Sequence, residues 1–256
     1  MQVSWSFMRA YEACPYQQKL IRIDKLGPEK PDERRFIRGT AGHKVFEIWA
    51  KSSFGDGMKP EMAAKIFDTL VAQKHIGWLN PSDKEKMRNR VIAEAAMLME
   101  AVRYHGIDRL KNLQVESWLS ASLLGEHVIK GLLDVVIDGG TWLLETKMSD
   151  NQKWIDPDQL VFYGLLLTLA KNRYPSRLSF FLPVMRRVEE RLLDIDFSQD
   201  DFGRINNRIQ NFVDKWTAGE FPATGEGETC RWCEVKNYCI KRKPSHKNRF
   251  IFPTII

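Results

Sequence analysis

Two acids and a lysine flank a pair of glycines in GLLDVVIDGGTWLLETK, residues 131–147, at a spacing that suits a small metal site. If Gly139-Gly140 is a two-residue hairpin turn, Asp138 faces Thr141, and counting back two by two brings Asp134 opposite Glu145. Lys147, two residues beyond Glu145, leaves the sheet on the same face, whereas Leu133, Val135, Ile137, Trp142 and Leu144 leave on the other. Directly opposed side chains have Cβ atoms about 4.5–5.5 Å apart, and like charges at that distance destabilise a sheet unless something compensates. A hard divalent cation such as Mg²⁺ or Mn²⁺ would do so, with the peptide oxygen of Thr146 as a further ligand between Glu145 and Lys147. Lys147 then stands where it can approach a phosphate or an attacking water.

The bland alternative is a solvated sheet face carrying Asp, Glu and Lys. Three features weigh against it. The hairpin is nearly continuously apolar apart from these residues, as a buried sheet with a local functional intrusion is. The apolar stretch DQLVFYGLLLTLAKNR places Gln159 and Tyr163 one helical turn apart on one side. Upstream, RGTAGHKVFEIWA places His43 and Glu47 one turn apart on a largely apolar helix.

The elements that must position these groups follow from periodicity. Phe36, Ile37, Ala41, Val45, Phe46 and Trp49 recur at helical spacing, as do Val91, Ala95, Leu98, Met99 and Val102, and a further helix is expected between them, ending before Asn80-Pro81. Three strands are expected in LQVESWLSASLL, EHVIKGLLDVVID and TWLLETKM. Asp156-Pro157 then opens a buried helix running to about residue 173. RLSFFLPVM and RVEERLLDIDF alternate as strands, and residues 198–219 form a closing amphipathic helix. From Glu220 onward the chain is rich in Gly, Cys and basic residues and needs a staple to be ordered.

With 256 residues, 43% hydrophobic and 28% charged, the chain has the composition of a soluble globular protein, and no apolar run reaches the length of a membrane span. MQVSWSFMRAYEACP lacks the form of a secretory signal, so a cytoplasmic location is expected. The net charge of +6 suits a polyanionic partner, and basic residues cluster at Arg34, Arg35 and Arg38, at Lys153 beside Trp154, at Arg186-Arg187 and at Lys241-Arg242-Lys243. Trp154 could stack on an unpaired base. In a reducing compartment the four cysteines are expected as ligands rather than disulfides. Cys230, Cys233 and Cys239 form a compact triad, Cys14 completes four thiolates, and the spacing alone suits zinc or an iron–sulfur cluster equally.

The G-x-x-D of Gly131–Asp134, the E-x-K of Glu145–Lys147 and the Q-x-x-x-Y of Gln159–Tyr163, in that order after His43, resemble the RecB-type nucleases of the PD-(D/E)XK superfamily. The resemblance implies a restriction-endonuclease-like α/β (α+β) fold with an αβββαβ core. It implies that His43, Asp134 and Glu145 hold the metal, that Lys147 assists hydrolysis, and that Gln159 and Tyr163 contact DNA or the site. One cysteine before the core and C-x-x-C-x5-C after it are similar to the iron–sulfur members of that group, the AddB-type and CRISPR-associated RecB-like exonucleases, which implies a 4Fe-4S cluster, with zinc as the alternative. The expected organisation is a helical region over 1–112, a nuclease core over 113–219 and a cysteine-rich tail over 220–256 that closes on Cys14. The expected activity is Mg²⁺- or Mn²⁺-dependent DNA hydrolysis, on single strands or duplex ends, in recombination, repair or CRISPR spacer acquisition, with any helicase or integrase as a separate partner protein and no membrane involved. A catalytically weak DNA-end-binding adaptor is the alternative from another class.

Overall fold

The computed structural model describes residues 1–27, 34–55, 57–74, 76, 80–123, 125–149, 151 and 155–241. The expected Lys153-Trp154 contact and the Arg242-Lys243 pair lie outside these residues, as do the side chains of Arg34 and Arg35. In chain order the elements are β1 (Gln2–Val3), α1 (Trp5–Ala13), α2 (Pro15–Arg22), α3 (Arg34–Lys51), α4 (Pro60–Gln73), α5 (Pro81–Tyr104), β2 (Gln114–Leu123), β3 (His127–Ile137), β4 (Trp142–Thr146), α6 (Pro157–Lys171), β5 (Arg177–Phe181), β6 (Leu192–Ile195), α7 (Gln199–Thr217) and α8 (Gly227–Arg231). The run α5–β2–β3–β4–α6–β5 is the αβββαβ order expected of a restriction-endonuclease-like α/β fold. No helix among the described residues is long and apolar enough to cross a membrane. The chain divides into two compact units, one formed by Met1–Trp5 with Asp32–Arg208, the other by Ser6–Pro31 with Ile209–Ile256.

In the first unit β3 organises a mixed sheet. β2 runs antiparallel along one edge of β3 from Leu123–His127 to Gln114–Val136. The other edge is shared: β1 pairs in parallel at Val128 and Ile129, and β4 pairs antiparallel at Val135–Ile137. β5 continues the sheet parallel to β4, and β6 closes it antiparallel to β5. Residues 130–134 of β3 therefore lie in a gap between β1 and β4, where one edge of the strand has no ladder partner. A gap of this kind leaves backbone polar groups for side chains to satisfy and gives side chains room to converge.

The hairpin keeps the expected register but not the expected turn. Val135–Leu144, Val136–Leu143 and Ile137–Trp142 pair as counted, yet the loop spans four residues, 138–141, so Asp138 and Thr141 do not pair. Asp138, Gly139 and Gly140 all have positive φ (48°, 65° and 112°). Glycine adopts such angles at no steric cost, which is why two sit here. The last expected strand is also shorter, because Val188–Glu190 winds into a 3-10 turn and leaves only Leu192–Ile195 extended. Asp156 precedes α6 as expected but makes no side-chain cap; Pro157 supplies the start and Asn172, left-handed at φ 50°, the stop.

Val135, Ile137, Trp142 and Leu144 all enter one core with Val45, Phe46 and Trp49 of α3 and with Leu98 and Val102 of α5. Ile37 and Ala41 of α3 pack with Phe67, Val71 and Val91 in a second cluster. Arg38, one of the clustered basic residues, gives its Nε to both oxygens of the buried Glu94, at 2.7 and 2.8 Å. This ion pair joins α3 to α5 and so holds the helix that carries His43. Arg187 is tied on the surface to Glu189 and Glu190.

The second unit is built on aromatic packing. Phe7 and Tyr11 of α1 meet Phe212 and Trp216 of α7 at ring separations of 4.9–5.8 Å, and Trp216 meets Phe221 at 5.1 Å. The Tyr11 hydroxyl donates to the Glu220 carbonyl, and the Tyr16 N–H donates to the carbonyl of Pro222 at 3.2 Å. These bonds bring the chain after α7 back onto the α1–α2 turn, where Cys14 sits.

Candidate active site

Asp134 and Glu145 occupy the first register positions beyond the last β3–β4 pair, where the strands part. The Thr146 N–H, freed from that ladder, donates to Asp134 Oδ2 at 2.8 Å. Glu145 is 6% exposed and accepts on Oε1 from both Lys147 Nζ (2.8 Å) and Gln159 Nε2 (2.7 Å). Lys147 Nζ also donates to Gln159 Oε1 at 2.8 Å, so lysine, glutamine and glutamate form a closed ring of hydrogen bonds. Gln159 Nε2 lies 3.3 Å from the Tyr163 hydroxyl, one turn further along α6. The apolar side chains of α6 place this polar pair: Leu160, Val161, Phe162, Leu165, Leu166 and Leu167 are all buried, and only the Gln159–Tyr163 side remains to face the acids.

The glycine of the G-x-x-D stretch has a physical reason. A Cβ on Gly131 would stand 2.8 Å from the Tyr163 ring and 3.2 Å from Leu166, so strand and helix approach at van der Waals contact only because there is none. Gly131→Ala is expected to push Tyr163 off its position and to cost about 1–3 kcal/mol as an overpacking substitution, read as a lower melting temperature together with reduced cleavage.

His43 reaches the same place from α3, with Nδ1 3.5 Å from Asp134 Oδ2. Burial lowers its pKa, more than the neighbouring Glu145 and Glu116 raise it, so the ring is neutral at pH 7 and able to ligate a cation. Glu47, one turn on, is not part of the group: it pairs with Lys44 and Lys51. Burial also pushes both candidate acids up to about 7, with Glu145 raised further by Asp134 and opposed by Lys147, and Asp134 opposed by the Thr146 N–H. The Tyr163 hydroxyl is raised by burial and by Glu145, so it stays protonated.

One residue of the site was not singled out by the sequence. Among the described residues, His43, Glu116 and Asp134 form the group of three or more His, Cys, Asp or Glu whose ligand atoms all lie within 4.8 Å of one another. The signal was available: extending the register that begins at Leu123–His127 puts Glu116 opposite Asp134. Reading it required knowing that β2 and β3 form a hairpin. Carboxylate oxygens with a neutral imidazole make a donor set that fits Mg²⁺ or Mn²⁺. Thr146 spends its N–H on Asp134, and its buried Oγ1 has no hydrogen-bond partner among the described residues.

In the second unit, Cys14, Cys230, Cys233 and Cys239 all line one pocket of about 240 Å³. Cys14 is buried at the start of α2, Gly225 packs so closely that an added Cβ would meet Cys14 Sγ at 3.3 Å, and Cys230 Sγ lies 2.8 Å from the Gly225 carbonyl oxygen. Burial, with the nearby Cys14, Cys239 and Cys230, pushes the Cys233 thiol up against the opposing Val235 N–H. A thiol so placed resists ionisation unless a cation joins it.

No curated protein matches the chain. Among solved structures, a protein of Eubacterium rectale provisionally named an exonuclease is similar at a TM-score of 0.56 and 11% identity, over 94% of this chain and 89% of that one, a likeness of fold. A protein named SSO0001 is similar at a TM-score of 0.36 and 14% identity, over 88% of this chain and 94% of that one. The model of the PD-(D/E)XK nuclease superfamily matches residues 2–240, nearly the whole chain, and the chain belongs to that superfamily.

Proposed function

We propose that this chain is a divalent-metal-dependent deoxyribonuclease of the RecB type that hydrolyses phosphodiester bonds at DNA ends or in single strands. The supporting observation is the meeting in one site of His43 beside Asp134 and of Glu145, Lys147, Gln159 and Tyr163 in one hydrogen-bonded set. His43, Asp134 and Glu145, with the Thr146 carbonyl, would hold Mg²⁺ or Mn²⁺. Such an ion polarises a phosphoryl oxygen and lowers the pKa of its bound water. Lys147, half-buried and aimed by Glu145 and Gln159, would stabilise the charge that develops on the phosphate. Gln159 keeps both the lysine and the glutamate in place, and Tyr163 offers a protonated hydroxyl beside them. An adaptor without chemistry has no need of a half-buried lysine held in this way.

We further propose that the four cysteines hold a 4Fe-4S cluster. All four line one pocket, a set of four thiolate donors that suits such a cluster, with zinc as the alternative, and either centre would staple the tail after residue 220 to Cys14. In this reading the cluster serves the fold and the cation serves the reaction. We place the activity in recombination, repair or CRISPR spacer acquisition, beside a separate helicase or integrase, in the cytoplasm.

Two outcomes test the proposal. Purified protein with Mn²⁺ should shorten end-labelled linear DNA and leave closed circles intact; equal attack on circles would make it an endonuclease, and binding without cleavage would return the adaptor reading. Lys147→Met should lose cleavage by about 10²-fold or more, the scale of one removed transition-state donor, while Mn²⁺ affinity stays within about threefold. A parallel loss of Mn²⁺ affinity would show that the lysine supports the metal site rather than the reaction.

A further inference from the structure

We propose that Glu116 is a direct ligand of the divalent cation, joining His43 and Asp134 on the side of Asp134 away from Glu145. The inference rests on the metal site proposed above and adds to it a residue from the edge strand β2. Asp134 lies between two acids: Glu145 follows from the β3–β4 register, and Glu116 from the β2–β3 register. Three carboxylates thus stand side by side across three strands, yet they are not equivalent. Glu145 has its Oε1 bound by Lys147 and Gln159, and one oxygen of Asp134 is bound by the Thr146 N–H. The group whose ligand atoms have closed to within 4.8 Å is His43, Glu116 and Asp134.

The backbone points the same way. Glu116 has φ 52°, in the left-handed region that a non-glycine residue occupies at a steric cost. The flanking pairs Val115–Val135 and Ser117–Leu133 are intact, but Glu116 and Asp134 are missing from the ladder between them. A single strained residue inside an otherwise continuous strand, opposite an acid likewise missing from the ladder, is a local break with a local purpose.

The test measures Mn²⁺ binding to the substrate-free protein at pH 8 by calorimetry and by the EPR signal of bound Mn²⁺. Glu116→Gln and Glu116→Asn keep polarity, and Asn tolerates the left-handed backbone, so both should fold. Each should weaken Mn²⁺ binding by at least tenfold and alter the EPR spectrum of any ion still bound. Glu47→Gln, an acid on α3 tied to lysines, should leave affinity within twofold. If Asp134→Asn abolishes binding while both Glu116 variants bind as wild type does, the Glu116 assignment alone is overturned. If wild-type protein binds no Mn²⁺, the metal site fails and this ligand with it.

Discussion

Asp134→Asn is expected to abolish metal-dependent cleavage, by about 10³-fold or more, and at the same time to stabilise the metal-free protein above pH 7. The first effect follows because loss of a ligated divalent ion removes several kcal/mol of charge stabilisation from the transition state. The second follows from linkage. Burial holds Asp134 and Glu145 at about 7 in the folded protein, well above the ordinary value of either acid. Between about pH 4 and pH 7 the folded state therefore binds more protons than the unfolded one, and stability falls as pH rises through that window. Above pH 7 the penalty of two adjacent buried charges is fully present. Asparagine removes one charge and still offers an amide oxygen to the Thr146 N–H. Melting curves of metal-free wild type and variant at pH 5 and pH 8 check this: the variant should gain little at pH 5 and several degrees at pH 8. The corollary is that added Mn²⁺ should raise the wild-type melting temperature more at pH 8 than at pH 6, and should not raise that of the variant.

The second large effect concerns Cys14→Ser. Anaerobically prepared wild-type protein should be brown and carry four iron and four sulfide per chain, and the variant should be colourless. The site is assembled from chain ends more than two hundred residues apart in sequence, so losing it releases a long closed loop as well as the ligand bonds. The variant should accordingly become susceptible to proteolysis after residue 220, while the aromatic packing of Phe7, Tyr11, Phe212 and Trp216 resists cleavage longer. Colourless wild-type protein with one equivalent of zinc would replace the cluster by zinc and leave the staple. Wild-type protein with neither metal would overturn both.

What could be read in the sequence had strong short-range signals. The order of helices and strands, the β3–β4 register and the buried helix α6 followed from periodicity, glycines and Pro157, because each depends on neighbours within one or two turns. The superfamily followed from Asp134, Glu145, Lys147, Gln159 and Tyr163, whose spacing is set by one hairpin and one helix. Features set by distant pairing were not legible. Glu116 enters the candidate site only through the register of β2 on β3. The Arg38–Glu94 ion pair, between residues fifty-six positions apart, is of the same kind. The four-residue hairpin loop shows a subtler limit, because Gly139-Gly140 signals a turn but not its length. β1, with two residues, is too short to carry a pattern; it forms because Gln2 and Val3 find the free edge of β3 at Val128 and Ile129.

If Asp134, Glu145 and Lys147 perform metal-dependent hydrolysis of DNA, each is needed for it. Wild type, Asp134→Asn, Glu145→Gln and Lys147→Met are compared on end-labelled single- and double-stranded DNA, with Mn²⁺ and with chelator. Wild type should cleave only with the metal, and each folded variant should lose cleavage by about 10²-fold or more. Cleavage that survives in all three, or that persists in chelator, contradicts that role.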